Sequence, residues 1–186
     1  TTELNLADYF RRNRISFQPV VIEAFDEINA AFFAGRCDAY TTDASGLAGI
    51  RATLAARPDD YVILPEVISK EPLAPAVRHG DDQWLDIVGW SIRALVEAEE
   101  MGLSSETIDQ RLNDPDPAVQ RFVGTTGDLG RSLGLDNRWA YAIVKQVGNY
   151  GEVFERNLGQ ASPLKLERGL NALWTQGGLM YAPPIR

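Results

Sequence analysis

An α/β fold, with a parallel sheet flanked by helices, is what this sequence predicts. Short apolar runs rich in β-branched residues alternate with amphipathic segments through residues 1–70, the βαβα order that lays helices on the faces of a parallel sheet. Gly35 and Asp43 stand at two of the changeovers. A composition of 45% hydrophobic and 24% charged residues over 186 positions is that of an ordinary globular chain.

In "TTELNLADYFRRN", Leu4, Ala7, Tyr9 and Phe10 can share a helical face, and Thr1 or Thr2 ahead of Glu3 suits a cap. "FQPVVI" (17–22) reads as a strand, and "EAFDEINAAFFAG" (23–35) as a helix closed by Gly35. "CDAYTT" (37–42) is a second strand, "DASGLAGIRATLAA" (43–56) a second helix, and "DYVILP" (60–65) a third strand.

After Pro65 the character changes. One further strand is expected around 74–78, and the rest of the chain reads as helix. The clearest element is "QWLDIVGWSIRALVEAEEMG" (83–102), with Trp84, Val88, Ile92 and Leu95 on one stripe and Gly102 as its stop. Shorter helices are expected around 104–112, 116–123, 137–148, 150–158 and 164–174, before an extended tail enforced by Pro183 and Pro184. This many amphipathic helices lack a sheet of their own to cover, and the chain opens on a helix start with no strand before it. The pattern is that of the latter part of a larger α/β protein.

A formal net charge of -8 opposes general affinity for phosphate backbones, so nucleic acid is not an expected partner. One cysteine, Cys37, excludes an internal disulfide, and one histidine, His79, excludes the usual Cys/His zinc ligation. No metal or cofactor is expected. No apolar run approaches the roughly 20 residues that span a bilayer, and an export signal is expected to have been removed.

Catalytic constellations are scarce. G-x-S-x-G, the P-loop, G-x-G-x-x-G and H-E-x-x-H are absent, and any triad must pass through His79, which sits in the polar turn "VRHGDD". Cys37 is expected to be a small buried apolar residue. The carboxylate pairs Asp59/Asp60, Asp81/Asp82 and Asp114/Asp116 and the cluster Glu97, Glu99 and Glu100 read as turn, cap or solvated-face residues. Trp84, Trp90, Trp139 and Trp174 read as core or interface anchors.

Two helix starts stand out. In an open parallel sheet, ligands bind beyond the carboxyl ends of the strands, where helix N-termini point. Thr1 and Thr2 lie at one such start, Thr42 and Asp43 at the other. Threonine hydroxyls on a helix N-terminus suit a carboxylate, and an aspartate one βα unit away suits an ammonium, so together they could hold a zwitterion. The alternative for Asp43 is a plain N-cap worth about 1 kcal/mol. For Thr1 and Thr2 it is an untethered chain end.

The segments "TTELNLADYF", "GRCDAYTTDASGLAGIRATL", "ISKEPLAPAVRHGDDQWLDIV" and the block from Trp139 to Arg186 closely resemble the periplasmic general L-amino-acid-binding proteins of ABC uptake systems, within solute-binding protein family 3. The resemblance covers essentially the whole chain. It implies a type II periplasmic binding protein-like fold, three-layer α/β/α, of which this chain is the C-terminal portion. Residues 1–70 would be most of the second lobe, lacking its first strand. Residues 71–186 would be the C-terminal part of the first lobe with a helical extension.

The family's second lobe presents a Gly-Thr-Thr helix start to the ligand carboxylate and an aspartate to the α-ammonium. Thr1 and Thr2 match the residues after that glycine, and Asp43, beside Thr42, matches the acid. The resemblance thus makes Asp43 a ligand residue, one that can cap its helix as well. The first-lobe arginine that clamps the carboxylate falls outside this sequence, and no arginine here takes its role.

The implied function is the substrate-binding component of an amino-acid ABC uptake transporter, periplasmic, binding free L-amino acids of broad specificity and delivering them to a permease in the inner membrane. It is not an enzyme. A dehydratase on the same fold would need a general acid or base near Asp43, and the sequence offers none. The remaining alternative is a remnant that no longer binds amino acid and instead self-associates or pairs with a separate N-terminal fragment.

Overall fold

The computed structural model describes residues 2–70 and 72–185. The chain divides into two compact units, Thr1–Leu73 and Ala74–Arg186, each described here by itself.

The first unit holds three helices: α1 (Thr2–Arg12), α2 (Phe25–Phe33) and α3 (Ala44–Thr53). Helix α1 carries Glu3 in its first turn and Arg11 and Arg12 in its last, the order its dipole favours. Leu4 is exposed, and Phe10 makes a tilted ring contact with Phe17, centroids 4.7 Å apart. Asn29 and Ala31 are the buried residues of α2. The Asn29 side-chain amide donates to the Phe25 carbonyl at 2.8 Å, which leaves its oxygen buried without a partner.

The four segments expected as strands form no ladder. Among the described residues the sole β-bridge is Leu173 to Met180, in the other unit. Residues 17–22, 37–42 and 74–78 carry no helix either, and 60–65 holds only the last residue of a 3-10 turn, Pro58–Asp60. The physical reason lies in how strands are stabilised. A helix closes its hydrogen bonds within itself, whereas a strand must find a neighbour 4.7–4.9 Å away, and none of these segments has one among the described residues.

The layering survives without the ladder. Phe32 lies against Tyr40 and Tyr61, each with ring centroids 5.7 Å away, and Phe33 meets Tyr61 edge-on at 5.2 Å. Helix α2 therefore rests its aromatic end on residues of the 37–42 and 60–65 segments, as a helix rests on a sheet. Burial there pushes the Tyr40 phenol above its ordinary value.

The second unit is an all-helical assembly. Helix α4 (Asp82–Glu100) packs against α7 (Trp139–Val147) and α8 (Tyr150–Asn157), and α5 (Pro117–Val123) packs against α7. The four-residue α6 (Leu129–Ser132) escaped the sequence reading. Where helices were expected over 104–112 and 164–174, the chain forms only short 3-10 turns, at Ile108–Arg111, Gly169–Asn171 and Trp174–Gln176.

The core of this unit differs from the expected stripe. Trp84 is half exposed, and the face of α4 that enters the core is Ile87, Trp90, Ala94, Ala98 and Met101. These follow the 3.6-residue period, displaced from the bulkier Trp84, Val88, Ile92 and Leu95 set. Its two alanines, Ala94 and Ala98, are fully buried. Around them gather Leu103, Ile108, Val119, Phe122, Val123, Trp139 and Val144, with Ile185 returning from the tail.

The starts of α4, α5 and α8 are capped by side chains. Asp81 accepts from the Trp84 N–H at 3.0 Å and Asp116 from the Ala118 N–H at 2.8 Å. Asn149 and Glu152 form a reciprocal capping box at the start of α8. Asn149 also donates to the Leu103 carbonyl at 2.8 Å, and Glu152 accepts from the Ser105 N–H and hydroxyl. One joint thus closes the start of α8 onto the loop after α4.

The segment after α8 is held by Arg168, whose guanidinium meets both Glu99 carboxylate oxygens, at 3.0 and 3.1 Å, and lies over the Tyr150 and Phe154 rings. This clamp lets Leu173 and Ala182 bury against Val96 while the tail stays extended, as its prolines require.

Candidate functional site

The candidate site begins at helix α3. Asp43 occupies its N-cap position with φ -55° and ψ 141°, and its carbonyl accepts the first helical bond, from the Leu47 N–H at 2.8 Å. Its carboxylate makes no cap bond. The side chain is exposed and enters no hydrogen bond or ion pair with the described residues. In this respect Asp43 differs from Asp81 and Asp116, whose carboxylates close their own helices.

An aspartate at a helix N-terminus sits in a favourable field, since the orphan N–H groups carry about half a positive charge. At Asp43 that field is present while the short-range bond is not, so the carboxylate keeps its acceptor sites open. Thr42, half-buried, precedes it, and its methyl group lies toward Gly46 in the first turn of α3. Thr2 opens α1, an eleven-residue helix, in the same compact unit. Thr1 lies outside the described residues.

The other candidates weighed from sequence resolve into structure. His79 is exposed in the turn before α4, beside Gly80 at φ 88°. Cys37 is half-buried rather than a core residue. Asp60 pairs with Arg57, Asp114 with Arg111, Glu99 with Arg168, and Glu100 accepts from the Trp174 indole N–H at 3.2 Å. Of the tryptophans, Trp139 is buried and Trp90 packs on the core, while Trp84 and Trp174 stand half exposed.

One polar cluster was not legible in the sequence. Asp109 accepts from the Tyr141 hydroxyl and the Lys145 ammonium, each at 2.7 Å, and Arg138 lies over the Tyr141 ring. The hydrogen bond from Lys145, then that from Tyr141, holds the Asp109 carboxyl below its ordinary value. The bond to Asp109 pushes the Lys145 ammonium and the Tyr141 phenol up. These shifts hold each group in its resting protonation state, which fits a latch between the Ile108–Arg111 turn and α7 rather than proton transfer.

A small cavity of about 240 Å³ in the second unit is lined by Glu97, Met101, Arg121, Phe122 and Ile185, among others. No group of His, Cys, Asp and Glu able to hold a metal occurs among the described residues. No helix of the described residues is long and apolar enough to cross a membrane.

Fold and sequence together define the class: the chain carries part of the periplasmic binding protein fold. A periplasmic binding protein of an ABC transporter from Brucella ovis, solved with glutathione bound, superposes with a TM-score of 0.93 at 53% identity, over all of this chain and 58% of that one. The chain is a homologue of the periplasmic amino-acid-binding proteins of ABC transporters. It is 59% identical to the general L-amino acid-binding periplasmic protein AapJ of Rhizobium johnstonii. It is 54% identical to the glutamate/glutamine/aspartate/asparagine-binding protein BztA of Rhodobacter capsulatus. It is 50% identical to the putative amino-acid ABC transporter-binding protein YhdW of Escherichia coli. Each match takes in the whole chain but only 54% to 55% of the relative, so the chain spans about half the length of the curated relatives it matches. No protein-family model matches it.

Proposed function

We propose that this chain forms part of the substrate-binding component of an amino-acid ABC uptake transporter, working in the periplasm and passing free L-amino acids to an inner-membrane permease. Residues 1–70 supply most of one lobe and residues 71–186 the returning part of the other. Asp43 takes the ligand's α-ammonium. Thr1, Thr2 and the N–H groups that open α1 take its carboxylate, and Thr42 lines the same threshold.

The observation that carries this reading is the Asp43 carboxylate, set on a helix threshold and left without the cap bond that would explain it. The relatives support it, since AapJ and BztA are named as amino-acid-binding proteins and YhdW as a putative amino-acid ABC transporter-binding protein. Their ligands share one chemical feature, an ammonium and a carboxylate on a single carbon. Glutathione, bound in the Brucella neighbour, has the same head at its glutamyl end. A site built from one acid and one set of fixed donors reads that head and tolerates many side chains, which is broad specificity.

Calorimetric titration of the chain with L-glutamate, L-glutamine and L-leucine tests the proposal. Binding by more than one of them is expected, with Asp43→Asn removing it while the far-ultraviolet circular dichroism stays unchanged. Binding that survives Asp43→Asn at full strength would take Asp43 out of the site.

A further inference from the structure

We infer that the cavity between α4, α5 and the tail is a binding site for a small monocarboxylate with a compact apolar body, held by the Arg121 guanidinium. Helices α4 and α5 both pack against α7, and the cavity occupies the gap between them. The end of α4 lines it with Glu97 and the C-cap Met101, one turn apart, and α5 lines it with Ala118, Arg121 and Phe122, at helical spacing. Ile185, returning from the tail, adds a third wall. The space amounts to about 240 Å³.

Arg121 supplies a second, independent observation. Its Nε is buried and has no hydrogen-bond partner, unlike the Nε atoms of Arg111 and Arg168, which donate to Asp114 and to the Asn171 carbonyl. Buried donors are as a rule paired, and one on a charged group is costly to leave unmet. Beside the Nε–H of a guanidinium stands an Nη–H, so one carboxylate can accept two parallel bonds there. A water needs two to four polar partners, and the side chains of Met101, Phe122 and Ile185 offer it none, whereas an aliphatic body packs against them. Glu97 sets the charge limit. It already has an interaction of its own, and its carboxylate opposes a second negative charge in the same space. The site therefore takes one carboxylate and rejects two.

The probes are isovalerate and its neutral amide, neither of which carries an ammonium for Asp43, so the result is independent of the receptor reading. The chain has two methionines, Met101 in the cavity wall and Met180 in the separate cluster around Val96 and Leu173. With both carrying carbon-13 methyl groups, isovalerate is expected to move the Met101 resonance saturably, with a dissociation constant of about 10 mM or tighter, and to leave Met180 in place. Isovaleramide is expected to bind at least about tenfold more weakly, as is isovalerate to Arg121→Gln. Ala118→Leu, which fills the cavity and keeps Arg121, is expected to abolish the shift. A Met101 resonance that isovalerate does not move overturns the inference. So does an amide that binds as tightly as the acid, or binding that survives either substitution at full strength.

Discussion

Replacing Glu152 by glutamine strikes the joint between α8 and the loop after α4. The carboxylate accepts from the Asn149 N–H at 2.8 Å, from the Ser105 N–H at 3.1 Å and from the Ser105 hydroxyl. Glutamine keeps the shape but loses the charge and one acceptor oxygen, turning an NH₂ toward donors it cannot serve. Hydrogen bonds to charged groups contribute about 1.5–3 kcal/mol each, and because Glu152 is only partly buried we expect a loss of about 1–2 kcal/mol in all. For a chain of this size that is a fall of roughly 3–6 °C in melting temperature.

The pH dependence supplies the refutation. Burial opposes ionisation of Glu152, but the Ser105 hydroxyl, the Asn149 and Ser105 N–H groups and the Arg156 charge outweigh it and hold the carboxyl below its ordinary 4.5. A depressed folded value means the carboxylate stabilises the fold above pH 4.5 and loses that contribution as pH falls through the lowered value. The gap between wild type and Glu152→Gln, read by scanning calorimetry, should be full at neutral pH and close on acidification below 4.5. A gap under about 0.5 kcal/mol at neutrality, the scale of an ordinary surface change, or one that acid leaves untouched, would show that the carboxylate does not act through its charge.

Two further changes probe the second unit. Phe122→Ala empties a position that is 2% exposed and should cost about 3–5 kcal/mol in denaturant unfolding, with a slope change only if two-state behaviour is lost. Gly178→Ala should destabilise the closing loop, because a Cβ there would collide with the backbone of Ala172, which cannot swing aside as a side chain could. A variant as resistant to proteolysis as wild type at residues 168–182 would mean the loop relaxes freely.

Much of the helical half was readable because helices obey local rules. Asp81, Asp116 and Asn149 sit where caps belong, and Gly102 at φ 66° ends α4 as its position suggests. The face of α4 was misread because bulk was taken for burial, when two alanines, Ala94 and Ala98, are fully buried. The segment 164–174 has helical composition, yet the Arg168 clamp and the main-chain bonds Leu179 N–H to Leu170 carbonyl and Met180 N–H to Ala172 carbonyl fold it back instead. Those contacts span distances that no local pattern encodes. The strands failed for the opposite reason: their residues are right, but a strand is a property of two segments. At Asp43 the residue pattern alone left cap and ligand roles open, and only the resemblance chose between them. The absent cap bond, visible only in three dimensions, separates it from Asp81 and Asp116.

The placement of the tryptophans has an optical consequence. All four, Trp84, Trp90, Trp139 and Trp174, fall in the Ala74–Arg186 unit, while the aromatic cluster under α2 is built of phenylalanine and tyrosine. Selectively excited indole emission therefore arises from one unit alone. A single tryptophan introduced in place of Phe33, beside Tyr61, would give the other unit its own reporter, and the two could then be followed unfolding separately within one molecule.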